Sequence, residues 1–185
     1  MTTPLQSVGM VEFTSIAAGI EAADRMMKAS LVEPLMLKTI CPGKFVVGVH
    51  GDVAAVQSSI EAGMSGAEGT VADHFVIPNI NNSVVSAMAA ATPEPTGSAL
   101  GVIETFSAAS SILAADTAAK TADVDIAEVR IAMGLGGKAF CLLTGDVAAV
   151  NMAVEAASNV VAQSAMLVRK VVIPSAAPEV LRNIL

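Results

Sequence analysis

Blocks of apolar residues in this chain switch repeatedly between a two-residue and a three-to-four-residue period. Val8–Phe13 has the composition of a strand. Ser15 then stands before Ile16, Ile20, Ala23 and Met27, spaced by four, three and four residues, which predicts a serine-capped helix with those side chains inward. Leu35–Ile40 and Phe45–Val49 read as two strands joined by the tight Cys41-Pro42-Gly43-Lys44 connection. Asp52 is expected to cap a second helix that buries Val53, Val56, Ile60 and Met64. Val71–Ile77 is the last strand, and a short helix is expected around Val84–Ala91.

The same order then recurs. Strands are expected at Leu100–Thr105, Glu128–Met133 and Ala139–Leu143, with a final strand running to Ile173. Helices are expected near Ser107–Ala122, from Asp146 onward, and finally around Val180, Leu181, Ile184 and Leu185. The recurrence is literal in places. GDVAAV stands at 51–56 and again at 145–150, and residues 9–28 align with 101–120 through Gly9/Gly101, Glu12/Glu104, Ser15/Ser107, Asp24/Asp116 and Lys28/Lys120. The offset is 92 at Lys28/Lys120 and Lys38/Arg130, 94 at Lys44/Lys138 and 96 at Pro78/Pro174. The second half therefore gains two residues opposite the Cys41 loop, and loops that diverge on a duplicated scaffold are candidates for function. Residues 1–91 and 99–185 form the two repeats, and 92–98 (TPEPTGS) is the linker. Each repeat reads β-α-β-β-α-β, so the expected class is α/β (α+β), with two tandem ferredoxin-like domains. That fold by itself assigns no function.

Composition narrows the classes. The 185 residues carry a net charge of -7, with 54% hydrophobic residues, 3% aromatic residues, no Trp and no Tyr. Mean hydropathy is +0.66. Disorder is excluded by the apolar content. Nucleic acid is not an expected partner, because neither a basic footprint nor stacking rings are available. No run approaches the roughly 20 apolar residues of a membrane span. MTTPLQSVGM lacks the basic and apolar regions of a signal peptide, so a cytoplasmic location is expected. High hydropathy without a span points to burial between subunits.

Candidate chemistry is sparse, and an enzyme is not expected. Cys41 is either a small apolar residue or a metal ligand. One thiolate cannot hold a cluster, but a three-fold axis would bring three copies together. Cys141, in the apolar stretch AFCLL opposite Val47, reads as core. His50 and His74 lack a second ligand at helical spacing, so no zinc site is expected. MGLGGK (133–138) departs from the phosphate-loop pattern and reads as a flexible turn. Asp52 and Asp146 read as caps rather than acids, and no nucleophile–base set is visible. Lys28 and Lys120 close the first helix of each repeat, where a cation is favourable.

Taken together, the GxxE strand with its serine-capped helix, the AADxxxK segments, the doubled GDVAAV and the Ile-Pro strand ends resemble the bacterial microcompartment shell-domain family. Two domains in tandem resemble its trimeric class, and KTICPGKF resembles the loop of the propanediol-utilisation subtype. The resemblance implies a pseudohexameric homotrimer that tiles edge to edge with other shell proteins in a microcompartment shell. It implies one [4Fe-4S] cluster per trimer in the central pore, held by Cys41 of each chain, for electron transfer across the shell or cluster delivery to an enclosed redox enzyme. By the same resemblance Cys41, Pro42, Gly43, Met133, Gly134, Leu135 and Gly136 line the pore, and Lys28 and Lys120 lie at the tile edge. Asn79 and Ser175 stand where shell proteins often carry an edge arginine. Two other readings remain open at this point: a metal-free tile with a pore for small metabolites, and a soluble ligand-binding regulatory module.

Overall fold

The structure is a computed structural model that describes residues 7–93, 97–131 and 134–184. The first repeat runs β1 (Ser7–Phe13), α1 (Ile16–Ala29), β2 (Glu33–Ile40), β3 (Lys44–Gly51), α2 (Val53–Met64), β4 (Val71–Pro78) and α3 (Asn82–Met88). The second runs β5 (Ala99–Thr105), α4 (Ala108–Thr121), β6 (Val124–Ile131), β7 (Ala139–Gly145), α5 (Val147–Ala162), β8 (Leu167–Ile173) and α6 (Pro178–Ile184). The strands form two four-stranded sheets, ordered β2-β3-β1-β4 and β6-β7-β5-β8, with antiparallel neighbours throughout. This is the ferredoxin-like arrangement, present twice.

β1 and β3 in the first sheet, and β5 and β7 in the second, are the inner strands that pair on both sides, and every residue of β1 is buried. α1 and α2 cover one face of the first sheet. The core beneath them joins Val11, Phe13, Val47 and Val49 of the sheet to Ala22, Met26, Val56 and Ile60 of the helices. Gly9 lets α2 approach: a Cβ there would lie 2.7 Å from both Val56 Cγ1 and Ile60 Cγ1.

The helix faces correct the sequence expectation. α1 buries Gly19, Ala22, Ala23 and Met26, while Ile16 and Ile20 are exposed. α2 buries Val56 and Ile60 as expected but leaves Val53 exposed. The four-three spacing therefore marked a second apolar stripe beside the one that meets the sheet. Ser15 and Ser107 cap their helices by accepting hydrogen bonds from the N–H groups of Ala18 and Ser110. Asp52 and Asp146 occupy the cap position, but neither side chain makes a capping hydrogen bond. The backbone carbonyls of Asp52 and Asp146 begin the helical ladders instead, accepting from Val56 and Val150.

In space the chain divides between Ile80 and Asn81. The first compact unit holds the residues up to Ile80 and also takes in residues 134–137, whereas α3 belongs to the second unit. There α3 packs on β6 and α4, and the Asn81 N–H donates to Asp116 Oδ1 at 2.8 Å. No helix among the described residues is long and apolar enough to cross a membrane.

Candidate functional site

The Cys41 turn is built by its flanking strands. Ile40, buried, and Lys44 are register partners at the turn end of the β2–β3 pair. Between them Cys41, Pro42 and Gly43 project as an exposed tip. Gly43 adopts φ +80°, a left-handed conformation that suits glycine. The Cys41–Pro42 peptide bond is cis.

Residues 134–137 lie in the same compact unit. Gly134, Gly136 and Gly137 all have positive φ, at 73°, 62° and 89°. A Cβ on Gly137 would stand 2.8 Å from Pro42 Cδ, so only glycine permits this approach. Gly134 and Gly136 are exposed and Leu135 half-buried, while Met133 falls outside the described residues. The phosphate-loop reading of this stretch fails on two counts. The loop leads into a strand, not a helix, and Lys138 Nζ is engaged by Glu104.

Beneath the turn lies an ion pair that sequence reasoning left unassigned. Lys44 Nζ donates to Glu12 Oε1 at 2.7 Å, with the Glu12 side chain wholly buried. Lys138 and Glu104 form the matching pair in the second repeat, more exposed. The signal was available, because both acids and both lysines recur at matched positions.

The other candidates are dispersed. Lys28 is exposed and pairs with Asp24 at 2.7 Å; Lys120 pairs with the nearly buried Asp116 at 2.6 Å. His50 Nε2 faces Glu33 at 3.6 Å, and His74 is exposed. Cys141 is buried, and desolvation pushes its thiol up to about 12. Among the described residues no group of three or more His, Cys, Asp or Glu side chains could hold a metal ion. Cys41 is an accessible thiol that belongs to no such group among the described residues.

The BMC domain family model matches residues 7–80 and again 99–176, covering both βαββαβ units. This chain belongs to the BMC-domain family. It is 44% identical over 169 residues to the bacterial microcompartment shell protein PduT of Citrobacter freundii, spanning 91% of this chain and 92% of that protein. The crystal structure of a microcompartment protein from Desulfitobacterium hafniense DCB superposes with a TM-score of 0.83 and 54% identity, covering 96% of this chain and 99% of the other. A fused permuted hexameric shell protein from the RMM microcompartment shares the fold, with a TM-score of 0.61 at 21% identity over 84% of this chain and 81% of that one. Both BMC matches end before the seven-residue helices α3 and α6, which are thus appendices to the two BMC units.

Proposed function

We propose that this chain, a structural shell protein of a bacterial microcompartment, forms a homotrimeric tile whose three Cys41 thiolates hold one [4Fe-4S] cluster on the three-fold axis. The tile takes its place edge to edge with other shell proteins, in a shell within the bacterial cytoplasm. The observation that carries the reading is the setting of Cys41: an exposed thiol at the tip of a turn, with no metal-ligand cluster around it among the described residues. A soft thiolate suits iron–sulfur chemistry, and convergence of three such tips supplies three of the four iron sites. The Glu12–Lys44 pair and the Gly137–Pro42 approach hold the base of the tip, so the ligand sits on rigid structure. When bound, the cluster supplies one-electron transfer, which connects the two sides of the shell or serves an enclosed redox enzyme.

The test is iron and acid-labile sulfide per trimer after anaerobic reconstitution, with Cys41→Ser in parallel. About four of each, lost in a variant that still sediments as the parent does, is the expected result. Equal iron in parent and variant would refute the assignment. No iron in either would leave a metal-free tile whose pore passes small molecules.

A further inference from the structure

We infer that α6 is an interchain clasp: it docks on the α1 and β2 surface of a second copy of this chain, as α3 docks on α4 and β6 within one chain. The inference rests on the trimer reading and names the seam that builds it.

The argument starts from the internal repeat. α3 and α6 are both seven residues long and stand at the constant offset of 96 set by Pro78/Pro174. Their surroundings differ sharply. α3 buries Val84 and Ala87 in the second unit, against β6 and α4. α6 buries nothing, and Val180, the counterpart of Val84, is 43% exposed against 0%. Leu181 keeps a foothold on the cluster of Leu100, Leu142 and Ala176, so the helix is anchored at its base while Val180 stays open.

The receiving surface shows the reverse asymmetry. β6 and α4, which receive α3, are well covered: Val129 is 4% exposed and Ile112 0%. At the matching places on β2 and α1, Leu37 is 46% and Ile20 56% exposed. The register equivalence is secure, since Leu37 pairs with Val47 as Val129 pairs with Cys141. Asp116, which receives the Asn81 N–H at the start of α3, is nearly buried, whereas its counterpart Asp24 is exposed. One chain thus carries one spare clasp and one bare receptor of the same design. Pairing them between copies is a heterologous contact, and a three-fold rotation between copies closes it into the trimer ring. In that ring the N–H of Ala177, the counterpart of Asn81, meets Asp24 of the next chain.

The experiment follows the assembly midpoint of the full-length apo chain by sedimentation across a dilution series. The variants are Val180→Asp, Leu37→Asp and the two combined. Both sites are exposed in the single chain, so the fold tolerates the changes, which far-UV circular dichroism checks. Each single variant is expected to raise the midpoint about tenfold or more, the worth of one apolar side chain withdrawn from an interface. The double variant is expected to do little more than either single, because both act at one seam. A Val180→Asp chain that assembles like the parent, or a double variant whose effects multiply, would overturn the clasp and leave the trimer standing. A parent that sediments as a single chain at every concentration would overturn both.

Discussion

Lys44 Nζ lies 2.7 Å from Glu12 Oε1, and this pair sits directly under the Cys41 turn with its carboxylate wholly out of solvent. Removing the cation takes a charged partner from a buried carboxylate, a loss that costs several kcal/mol. Lys44→Met is therefore expected to lower stability by about 3 kcal/mol. Lys138→Met is expected to cost under about 1 kcal/mol, because the Glu104–Lys138 pair is far more solvated. Urea unfolding of the apo chain at one fixed protein concentration measures both. Equal losses would show that burial is not what separates the two pairs.

Gly9 and Gly101 hold the same place in the inner strands β1 and β5. A Cβ at Gly9 would meet Val56 and Ile60 at 2.7 Å, and one at Gly101 would meet Val154 Cγ2 at 2.7 Å and Leu143 Cγ at 2.9 Å. Alanine at either position forces a helix off its sheet, at an expected cost of about 1–3 kcal/mol. Gly63→Ala is the contrast. Its Cβ would meet Sδ and Cγ of the flexible Met26 side chain at 2.5 and 2.6 Å, and Ala157 already fills the matching place in the second repeat. Its unfolding midpoint should shift by less than half as much.

Much of this architecture is written in the chain because the repeat supplies each element twice. Gly9/Gly101, Ser15/Ser107 and Lys44/Lys138 all stand where their alignment places them. The misassigned helix face has a physical cause. Ile16 and Ile20 keep the correct period, but a helix with two apolar stripes, one against the sheet and one exposed, offers two valid phases. Periodicity cannot choose between them. The placement of α3 was also illegible, since nothing in the residues 82–88 states which unit will receive them. Cys41 stood out because it lies in the loop where the two repeats differ in length, whereas Glu12 and Lys44 are far apart in sequence and meet only through strand pairing.

The caps give a graded expectation. Ser107 Oγ accepts the Ser110 N–H at 2.9 Å, and Ser107→Ala is expected to cost about 1 kcal/mol. Ser15→Ala should cost less, because its hydrogen bond to the Ala18 N–H is longer, at 3.3 Å. Asp52→Ala and Asp146→Ala lose only a favourable charge at a helix start, about 0.3–0.5 kcal/mol. Thermal midpoints of the four variants should fall in that order. A large loss at Asp52 would mean that its carboxylate caps in solution after all.

The two cysteines should behave as different chemical species. Cys41 is exposed, while Cys141 is buried on β7 beside Ile103, and desolvation drives its thiol up to about 12. An aromatic disulfide reagent should therefore label one thiol per native apo chain, none in Cys41→Ser, and two per parent chain in denaturant. The raised value also sets a pH dependence. In the unfolded chain the Cys141 thiol ionises near about 8.5, but in the folded chain it stays protonated well above that. Its contribution to stability is complete below about 8.5 and is lost as the pH rises from there toward 12, since only the unfolded chain can release the proton. Cys141→Val, which copies Val47 of the first repeat, removes that loss. Between pH 8 and 10 the variant's unfolding midpoint should fall less steeply than the parent's. Parallel slopes would show that Cys141 ionises as readily in the folded chain as in the unfolded one.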